Sequence, residues 1–184
     1  MNAIAASIFF GLSMSFYPLA KRYTYYPQAV LGFCMNSGIL IANLVISGGT
    51  IDPRVLPFYF SGILWTMVYD TVYALQDVED DKKVGVKGLA VLWGDNTIRN
   101  CGYLNYLIHI GFMIGGTAFS LNPIFHILNA FSCWNIHTKL NKVDPRDTQQ
   151  CFKFFKDNRL YGVLVAVMIL IGQIPISFDD TLKE

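Results

Sequence analysis

Apolar residues along this chain fall into long runs that are separated by short polar segments. Five of the runs approach the roughly 20 residues that an α-helix needs to cross the hydrocarbon core of a bilayer. A sixth run, 123–137, is shorter and contains two asparagines and two histidines. The pattern predicts an all-α, polytopic membrane protein with about six transmembrane helices in a single membrane domain, 1–184. The five longer runs are 3–20, 27–46, 55–75, 103–121 and 160–178.

Charge changes this picture by giving the predicted helices an orientation. Only 15% of the residues are charged, against about 25% in a typical soluble domain. When the loops are assigned to alternating sides of the membrane, every basic residue except Arg54 and Lys183 falls on one side. The positive-inside rule makes that side cytoplasmic, or the matrix side in a mitochondrion. We therefore expect an integral protein of a bacterial inner (plasma) membrane or of the mitochondrial inner membrane, with its active face on the basic side.

The third apolar run continues directly into a cluster of carboxylates. Asp70, Asp77 and Asp81 are spaced i, i+7, i+11, which at about 100° per residue places them in a narrow stripe on one helix face, with Tyr73 beside it. Carboxylates that begin inside a membrane segment usually mark a functional site. Oxygen ligands in such a row suit Mg2+, which commonly bridges carboxylate to substrate phosphate.

A solvated helix end is the alternative explanation of the acidic cluster. Asp70 does not fit this alternative, because it lies about 10 Å deeper along the helix than Asp77. The other carboxylates could belong to such a helix end, in which Glu79, Asp80 and even Asp81 pair with Lys82, Lys83 and Lys87.

The remaining polar and reactive residues predict structure rather than chemistry. The apolar patch 88–94 is bounded by glycines and predicts a short helix at the interface above the site, and 141–158 predicts an interfacial helix before the last span. The cysteines have no metal-ligand spacing, and the histidines have no i, i+4 pair, so both types are predicted to be packing residues. They are Cys34, Cys101, Cys133, Cys151, His109, His126 and His137.

Several motifs together resemble one family. They are YPLAKRYTYYPQAVLG (17–32), WTMVYDTVYALQDVEDD (65–81), GVK (85–87) with AVLWG (90–94), and CFKFFKDN (151–158) with Gly162. These stretches resemble the UbiA family of intramembrane aromatic prenyltransferases, and within it the 4-hydroxybenzoate polyprenyltransferase branch. The resemblance extends in order through nearly the whole chain.

The resemblance implies a helical fold with a central cavity open to lipid, and two Asp-rich motifs that hold Mg2+ on a prenyl diphosphate. Asp77 and Asp81 match the second motif, Asp-x-x-x-Asp, and would be the metal ligands. Asp70 matches the Tyr-Asp-Thr signature before it, and would orient this shell or relay a proton. The implied substrate-binding residues are Arg22, which would hold either the diphosphate or the benzoate carboxylate, Lys87 on the diphosphate, and Tyr73.

The implied reaction is transfer of a polyprenyl group from polyprenyl diphosphate to the ring of 4-hydroxybenzoate in ubiquinone biosynthesis. Membrane lipid is the expected surrounding, and no nucleic-acid partner is expected. The family's first motif is missing, since Asp52 is the only acid before Asp70 and belongs to the opposite side. We expect a partial enzyme that matches the later six of nine family helices and is poorly active or inactive alone. It would be a truncated or split gene product, or it would need the missing helices in trans.

A second hypothesis comes from a different class of protein. The acidic helix could serve as a cation or proton relay in a membrane transport or scaffold protein. This hypothesis predicts ion flux in liposomes and no dependence on prenyl diphosphate.

Overall fold

The computed structural model describes residues 2–175, and within this range the chain is helical with no β-strand. The all-α prediction is confirmed. Three short 3-10 turns, Pro53–Val55, Leu75–Asp77 and Gly94–Asn96, connect some of the helices. The helices are α1 (Ala3–Met14), α2 (Tyr17–Tyr23), α3 (Pro27–Met35), α4 (Ser37–Ile46), α5 (Leu56–Ala74), α6 (Val78–Val84), α7 (Leu89–Trp93), α8 (Thr97–Ala118), α9 (Pro123–Leu140) and α10 (Thr148–Gly172).

The first two predicted spans are not single straight helices. The run 3–20 consists of α1 and α2, whose axes differ by 47°. The run 27–46 is interrupted at Asn36, whose backbone leaves the helical region and whose Nδ2 donates to Thr66 Oγ1 of α5 at 3.0 Å. The same Nδ2 donates to the carbonyl oxygen of Gly32 at 2.8 Å, and a side chain that enters the i→i−4 ladder in this way is a known cause of a helix kink.

The number of membrane spans stays a prediction. Among residues 2–175, the region Pro27–Ile46 is long and apolar enough to cross a bilayer, and the bent pair α1–α2 is a second candidate if it counts as one span. The end of the predicted span 160–178 lies outside the described residues. The weakest run, 123–137, does form a helix, α9, which begins at Pro123 after an Asn122 side-chain cap.

Helix α5 lies at the centre of the fold, where it contacts α3, α8 and α10. Its inner face carries Val68 and Val72, which are almost completely buried. Small residues allow the close contact with α8, since Ser61 Oγ donates to the carbonyl oxygen of Ile108 at 2.9 Å. Close packing of small residues is typical of helices that associate in lipid. The acidic segment, 77–81, thus follows directly after the helix at the centre of the fold.

The prediction that the acids share one helix face is wrong in its geometry. Helix α5 ends at Ala74, the 3-10 turn Leu75–Asp77 follows, and α6 begins at Val78. Asp77 has φ −110° and ψ 2°, which is not helical. Since a 3-10 turn advances about 120° per residue, three such residues rotate the second half of the stripe by about 60° relative to Asp70.

The end of the chain also differs from the prediction. No separate helix covers 141–158; residues 141–147 form turns, and α10 runs without a break from Thr148 to Gly172. Asp147 explains the start of α10, because its side chain accepts hydrogen bonds from the backbone N–H groups of Gln149 and Gln150. The predicted short helix within 88–94 is present as α7.

The packing roles predicted for cysteine and histidine agree with the structure where burial is clearest. The His109 ring is buried, with Nδ1 2.7 Å from Asn129 Oδ1 and Nε2 3.2 Å from Tyr161 Oη. The free cysteines Cys34, Cys101 and Cys151 are buried, and Cys133 is half-buried.

Candidate active site

Two of the acids behave as a solvated helix end. Glu79 pairs with Lys82 at 3.1 Å, and Asp80 pairs with Lys83 at 2.9 Å. Both pairs are i, i+3 contacts on the surface of α6, and such exposed pairs contribute little to stability. For Glu79 and Asp80, the solvated helix end is therefore the correct interpretation.

The other three acids are not paired in this way. Within residues 2–175, the carboxylates of Asp70, Asp77 and Asp81 form no salt bridge. Asp70 and Asp81 are half-buried, whereas Asp77 is exposed at the 3-10 turn. Half-buried carboxylates without a partner are unfavourable for folding, which is the usual condition of side chains kept for function.

Lys21 of α2 is the cation whose charge acts on two of these acids. Its ammonium group is close enough to act electrostatically on both Asp70 and Asp81, and it lies 5.4 Å from the centre of the Tyr17 ring. Burial raises the pKa of Asp81 above its usual value, Lys21 opposes this rise, and the charge of Asp77 adds to it. The acids therefore form one electrostatic group with Lys21 despite the break in the helix.

The family resemblance implied that Arg22 binds a substrate anion, and it gave Lys21 no role. Arg22 is exposed on α2, and no salt bridge to another described residue engages it. The YPLAKRY stretch shows two adjacent cations, but only the three-dimensional structure shows that Lys21 is the one whose charge acts on Asp70 and Asp81.

The loop after the acidic segment is fastened to α2. The backbone N–H of Lys87 donates to the carbonyl oxygen of Lys21 at 2.8 Å, and Lys87 Nζ is 3.5 Å from the carbonyl oxygen of Tyr23. Lys87 Nζ also lies 5.5 Å from the centre of the Tyr25 ring. The backbones of Lys21 and Lys87 thus meet, while the two ammonium groups lie against different tyrosine rings.

Gln28 completes this attachment, and sequence reasoning missed it. Its Oε1 accepts a hydrogen bond of 3.2 Å from the backbone N–H of Leu89, the first residue of α7. Gln28 is 2% exposed and Leu89 is fully buried. The amide therefore satisfies a buried helix N-terminus that has no side-chain cap of its own. The available signal was a glutamine directly after Pro27 at a helix start.

Tyr73 and Asp52 contact residues other than Lys21 and Lys87. The Tyr73 ring packs against Phe155 of α10, with 4.7 Å between the ring centres. Asp52 is bound by Arg54, whose guanidinium Nη2 is 2.6 Å from the carboxylate, and these hydrogen bonds lower the pKa of Asp52. Asp52 therefore does not supplement the acidic segment.

The donor chemistry fits a metal that is shared with a phosphate ligand. Within residues 2–175, no group of three His, Cys, Asp or Glu side chains is close enough to enclose a metal ion. Asp77 and Asp81 nevertheless provide oxygen ligands without a salt-bridge partner and interact electrostatically. Mg2+ is usually bound through one or two carboxylates plus substrate phosphates rather than by an all-protein cage.

Trp65, about two and a half turns after the start of α5, lines two cavities. A groove of about 460 Å3 lies between α5 and α10, and a mainly apolar cavity of about 590 Å3 extends from Trp65 toward the other end of α5. The second cavity is lined by side chains of α4, α5, α8 and α10, among them Phe58, Phe112, Val165 and Ile169. The groove is lined by Trp65, Tyr69, Phe155, Lys156, Asn158, Arg159 and Gly162.

Comparison with known proteins decides the family. The sequence profile of the UbiA prenyltransferase family matches residues 1–168. The chain belongs to this family. The UbiA match includes every acid and cation described above, as well as the Gln28 contact and most of α10. No solved structure is significantly similar to the chain.

Curated UbiA relatives carry closely related names. The chain is 35% identical to the mitochondrial 4-hydroxybenzoate polyprenyltransferase of Arabidopsis thaliana, over 85% of this chain and 39% of the relative. It is 32% identical to 4-hydroxybenzoate geranyltransferase 1 of Lithospermum erythrorhizon, over 86% and 52%. It is 36% identical to the 4-hydroxybenzoate octaprenyltransferase of Ectopseudomonas mendocina, over 89% and 55%. The chain thus spans about half or less of these relatives, and their names do not favour the transport or scaffold hypothesis.

Proposed function

We propose that this chain supplies one part of the active site of a membrane prenyltransferase that transfers a polyprenyl group from polyprenyl diphosphate to the ring of 4-hydroxybenzoate, a step of ubiquinone biosynthesis. The observation that carries the proposal is the group of carboxylates without salt-bridge partners, Asp77 and Asp81, with Lys21 acting on Asp81 and the Lys87 backbone bound to that of Lys21. The family match and the names of the relatives support it.

A membrane location is part of the proposal, with six spans and the basic side in the cytoplasm or matrix. Large apolar side chains are exposed on several helices, for example Ile46 (84%), Trp134 (63%) and Leu170 (65%). A soluble protein rarely exposes apolar side chains in such numbers, whereas lipid covers them without cost.

The chemistry explains the residue types at the site. Ionisation breaks the bond between the allylic carbon and oxygen, and its electron pair leaves with the diphosphate. Bound Mg2+ supplies charge neutralisation at this group. Asp77 and Asp81 would hold the ion, Lys21 and Lys87 would neutralise further charge as it develops on the leaving group, and Arg22 would bind an anion.

The second half of the reaction concerns the aromatic ring. A ring carbon of 4-hydroxybenzoate forms a bond to the allylic cation, and the ring then loses the proton from that carbon. Asp70 is the half-buried carboxylate from which a proton relay would start. Exclusion of water by the surrounding apolar helices protects the cation from hydrolysis.

The mainly apolar cavity beside α5 suits the polyprenyl chain. Its wall consists largely of Phe58, Phe112, Val165 and Ile169, and it extends away from the acidic segment. A polyprenyl diphosphate with its charged end at Asp77 would place its tail in this direction. Such a cavity binds through apolar contact area and selects by length.

We further propose that this chain alone is a poor catalyst. One Mg2+ ion on a single pair of carboxylates, together with two lysines, would neutralise a diphosphate incompletely. Mg2+ bound through two carboxylates needs additional ligands. Asp52 cannot contribute, since Arg54 binds it. A second carboxylate motif supplied by additional helices in trans would complete the site.

The test is prenyl transfer to 4-hydroxybenzoate in membranes that contain this chain, with and without a co-expressed segment of the Ectopseudomonas mendocina relative outside the matched region. We expect turnover with the added segment, and its loss in Asp77→Ala and Asp81→Ala. Glu79→Ala and Asp80→Ala are matched controls, because those acids are ion-paired on the same helix.

Binding separates the possible failures. Mg2+ and polyprenyl diphosphate should raise the melting temperature of the wild-type chain but not of Asp77→Ala. Strong turnover by the chain alone would refute the claim of poor activity and leave the reaction intact. The absence of both results, with no turnover when the segment is added and no thermal protection, would refute the proposed function.

A further inference from the structure

The groove between α5 and α10 has aromatic walls and opens beside the acidic segment. Trp65 and Tyr69 are one helical turn apart on α5, with 6.2 Å between their ring centres and an angle of 82° between the planes. Phe155 of α10 lies 5.7 Å from Tyr69. Tyr69 directly precedes Asp70 in the chain, and the Asp70 carboxylate acts electrostatically on the Tyr69 hydroxyl, so the groove lies near the first of the three carboxylates.

The position of Trp65 is fixed by a connected set of hydrogen bonds and ring contacts. Its Nε1 donates to Asn158 Oδ1 at 2.9 Å, and its ring packs edge-on against Tyr161 at 4.8 Å. Tyr161 Oη is in turn 3.2 Å from His109 Nε2. Because Asn129 Nδ2 donates to the carbonyl oxygen of His109, its Oδ1 is left to accept from His109 Nδ1. His109 Nε2 therefore accepts a hydrogen bond from the Tyr161 hydroxyl group.

The interior of the groove consequently presents aromatic rings rather than free polar groups. Asn158 uses its Oδ1 on Trp65 and its Nδ2 on the carbonyl oxygen of Phe154. Gly162 keeps the groove open, because a Cβ at this position would lie 3.0 Å from Trp65 Cη2. Flat apolar or aromatic groups are the ligands that such walls favour.

Two cations stand at the mouth of the groove, and only one of them is directed to other contacts. Lys156 lines the groove, but its Nζ lies 5.4 Å from the centre of the ring of Phe152, which is not part of the lining. Arg159 lines the groove and is exposed, and no salt bridge to another described residue engages it. A guanidinium group offers a planar pair of donors that matches a carboxylate.

We propose that this groove binds an aromatic carboxylate, with the ring between Trp65, Tyr69 and Phe155 and the carboxylate on Arg159. The inference rests on the proposed function, for which it locates the aromatic acceptor, and it leaves Arg22 for the diphosphate. A phosphate or diphosphate would gain from Arg159 but not from three aromatic walls. The ring of the acceptor would thereby stand next to Asp70, at the charged end of the prenyl donor.

The test uses the fluorescence of Trp65 in the full chain with Trp93→Phe and Trp134→Phe, which leave Trp65 as the single tryptophan. Titration with 4-hydroxybenzoate, without Mg2+ or prenyl diphosphate, should quench this signal with saturation. Arg159→Ala should weaken binding about tenfold or more, as expected for loss of a charge-assisted hydrogen bond. Arg159→Lys should retain part of it.

The controls identify both the residue and the ligand chemistry. Lys153→Ala removes an exposed cation of α10 that does not line the groove, and it should not change the titration. Gly162→Leu should abolish binding by filling the groove. Equal quenching by neutral 4-hydroxybenzyl alcohol, no effect of Arg159→Ala, or competition by inorganic pyrophosphate would each overturn the proposal.

This titration can fail independently of the reaction. Turnover without saturable quenching would refute the groove as the binding site of the aromatic carboxylate and leave the proposed transferase function intact. Quenching with all the expected variants, but without turnover or protection by prenyl diphosphate, would support the groove and refute the proposed reaction.

Discussion

Replacement of Gln28 by methionine should release the loop that carries Lys87. Methionine keeps the length and volume of the side chain, but it leaves the backbone N–H of Leu89 without the acceptor that lies 3.2 Å away in the wild type. Leu89 is fully buried and Gln28 is 2% exposed, so water cannot easily replace the bond. An unsatisfied buried donor costs about 1–3 kcal/mol, which corresponds to about a 5- to 140-fold increase in the opened population of the loop.

Limited trypsin digestion measures this opening. Cleavage after Lys87 requires the loop to leave α2, and its rate follows the opened population when reclosing is fast. Cleavage after Lys142, an exposed residue of the turn before α10, provides an internal reference. Gln149→Met is the matched control, since Gln149 is an exposed glutamine of α10 whose side-chain amide has no structural role.

The expected result is faster cleavage at Lys87 in Gln28→Met, with no change at Lys142 and none in Gln149→Met. Unchanged cleavage at Lys87 in a folded Gln28→Met protein would show that this hydrogen bond does not hold the loop. Faster cleavage at both lysines would indicate a general loss of stability, and would equally refute a local latch.

Three further predictions concern packing, pH and chain length. Gly115→Ala should lower the free energy of unfolding by about 1–3 kcal/mol, because its Cβ would lie 2.5 Å from the Phe58 ring. Gly11→Ala, with open space around it, should raise this free energy by up to about 1 kcal/mol. Denaturant melts that rank the two variants otherwise would contradict this prediction. Burial raises the pKa of Asp81, so its ionised form destabilises the fold above that pKa. Asp81→Asn should therefore raise the melting temperature at pH 7, and the gain should vanish below about pH 3.8, where both proteins are neutral at this position. A gain in melting temperature that is the same at every pH would show that the charge of Asp81 is not its cause. Ile169→Trp should fill the apolar cavity and reduce kcat/KM, in the completed enzyme, more for long polyprenyl diphosphates than for geranyl diphosphate; an equal reduction would argue against this cavity as the tail site.

The sequence predicted well what depends on local composition. The apolar runs became helices, the glycine-bounded patch became α7, and Glu79 and Asp80 paired with the lysines three positions later. Each of these features follows from residues that are neighbours along the chain. Local spacing therefore carries most of the information about which segments are helical and which acids are solvated.

Features that depend on distant partners were not predictable in the same way. The break at Asn36 is stabilised by Thr66, 30 positions later, and no glycine or proline marks the 3-10 turn before Val78. Lys21 acquired its place beside the acids only when α2 packed near them. The spacing of the acids placed Asp70 in the same group correctly, but it could not foresee the rotation at Leu75–Asp77.

The bond between Gln28 and Leu89 joins positions that are 61 residues apart. At about 5–20 residues per second of synthesis, roughly 3–12 s pass between the appearance of the two residues at the ribosome. During this interval α5 and the acidic segment emerge and can settle before the loop behind them has an anchor. The charged end of the site is consequently assembled late in biogenesis, after the helix that supports it.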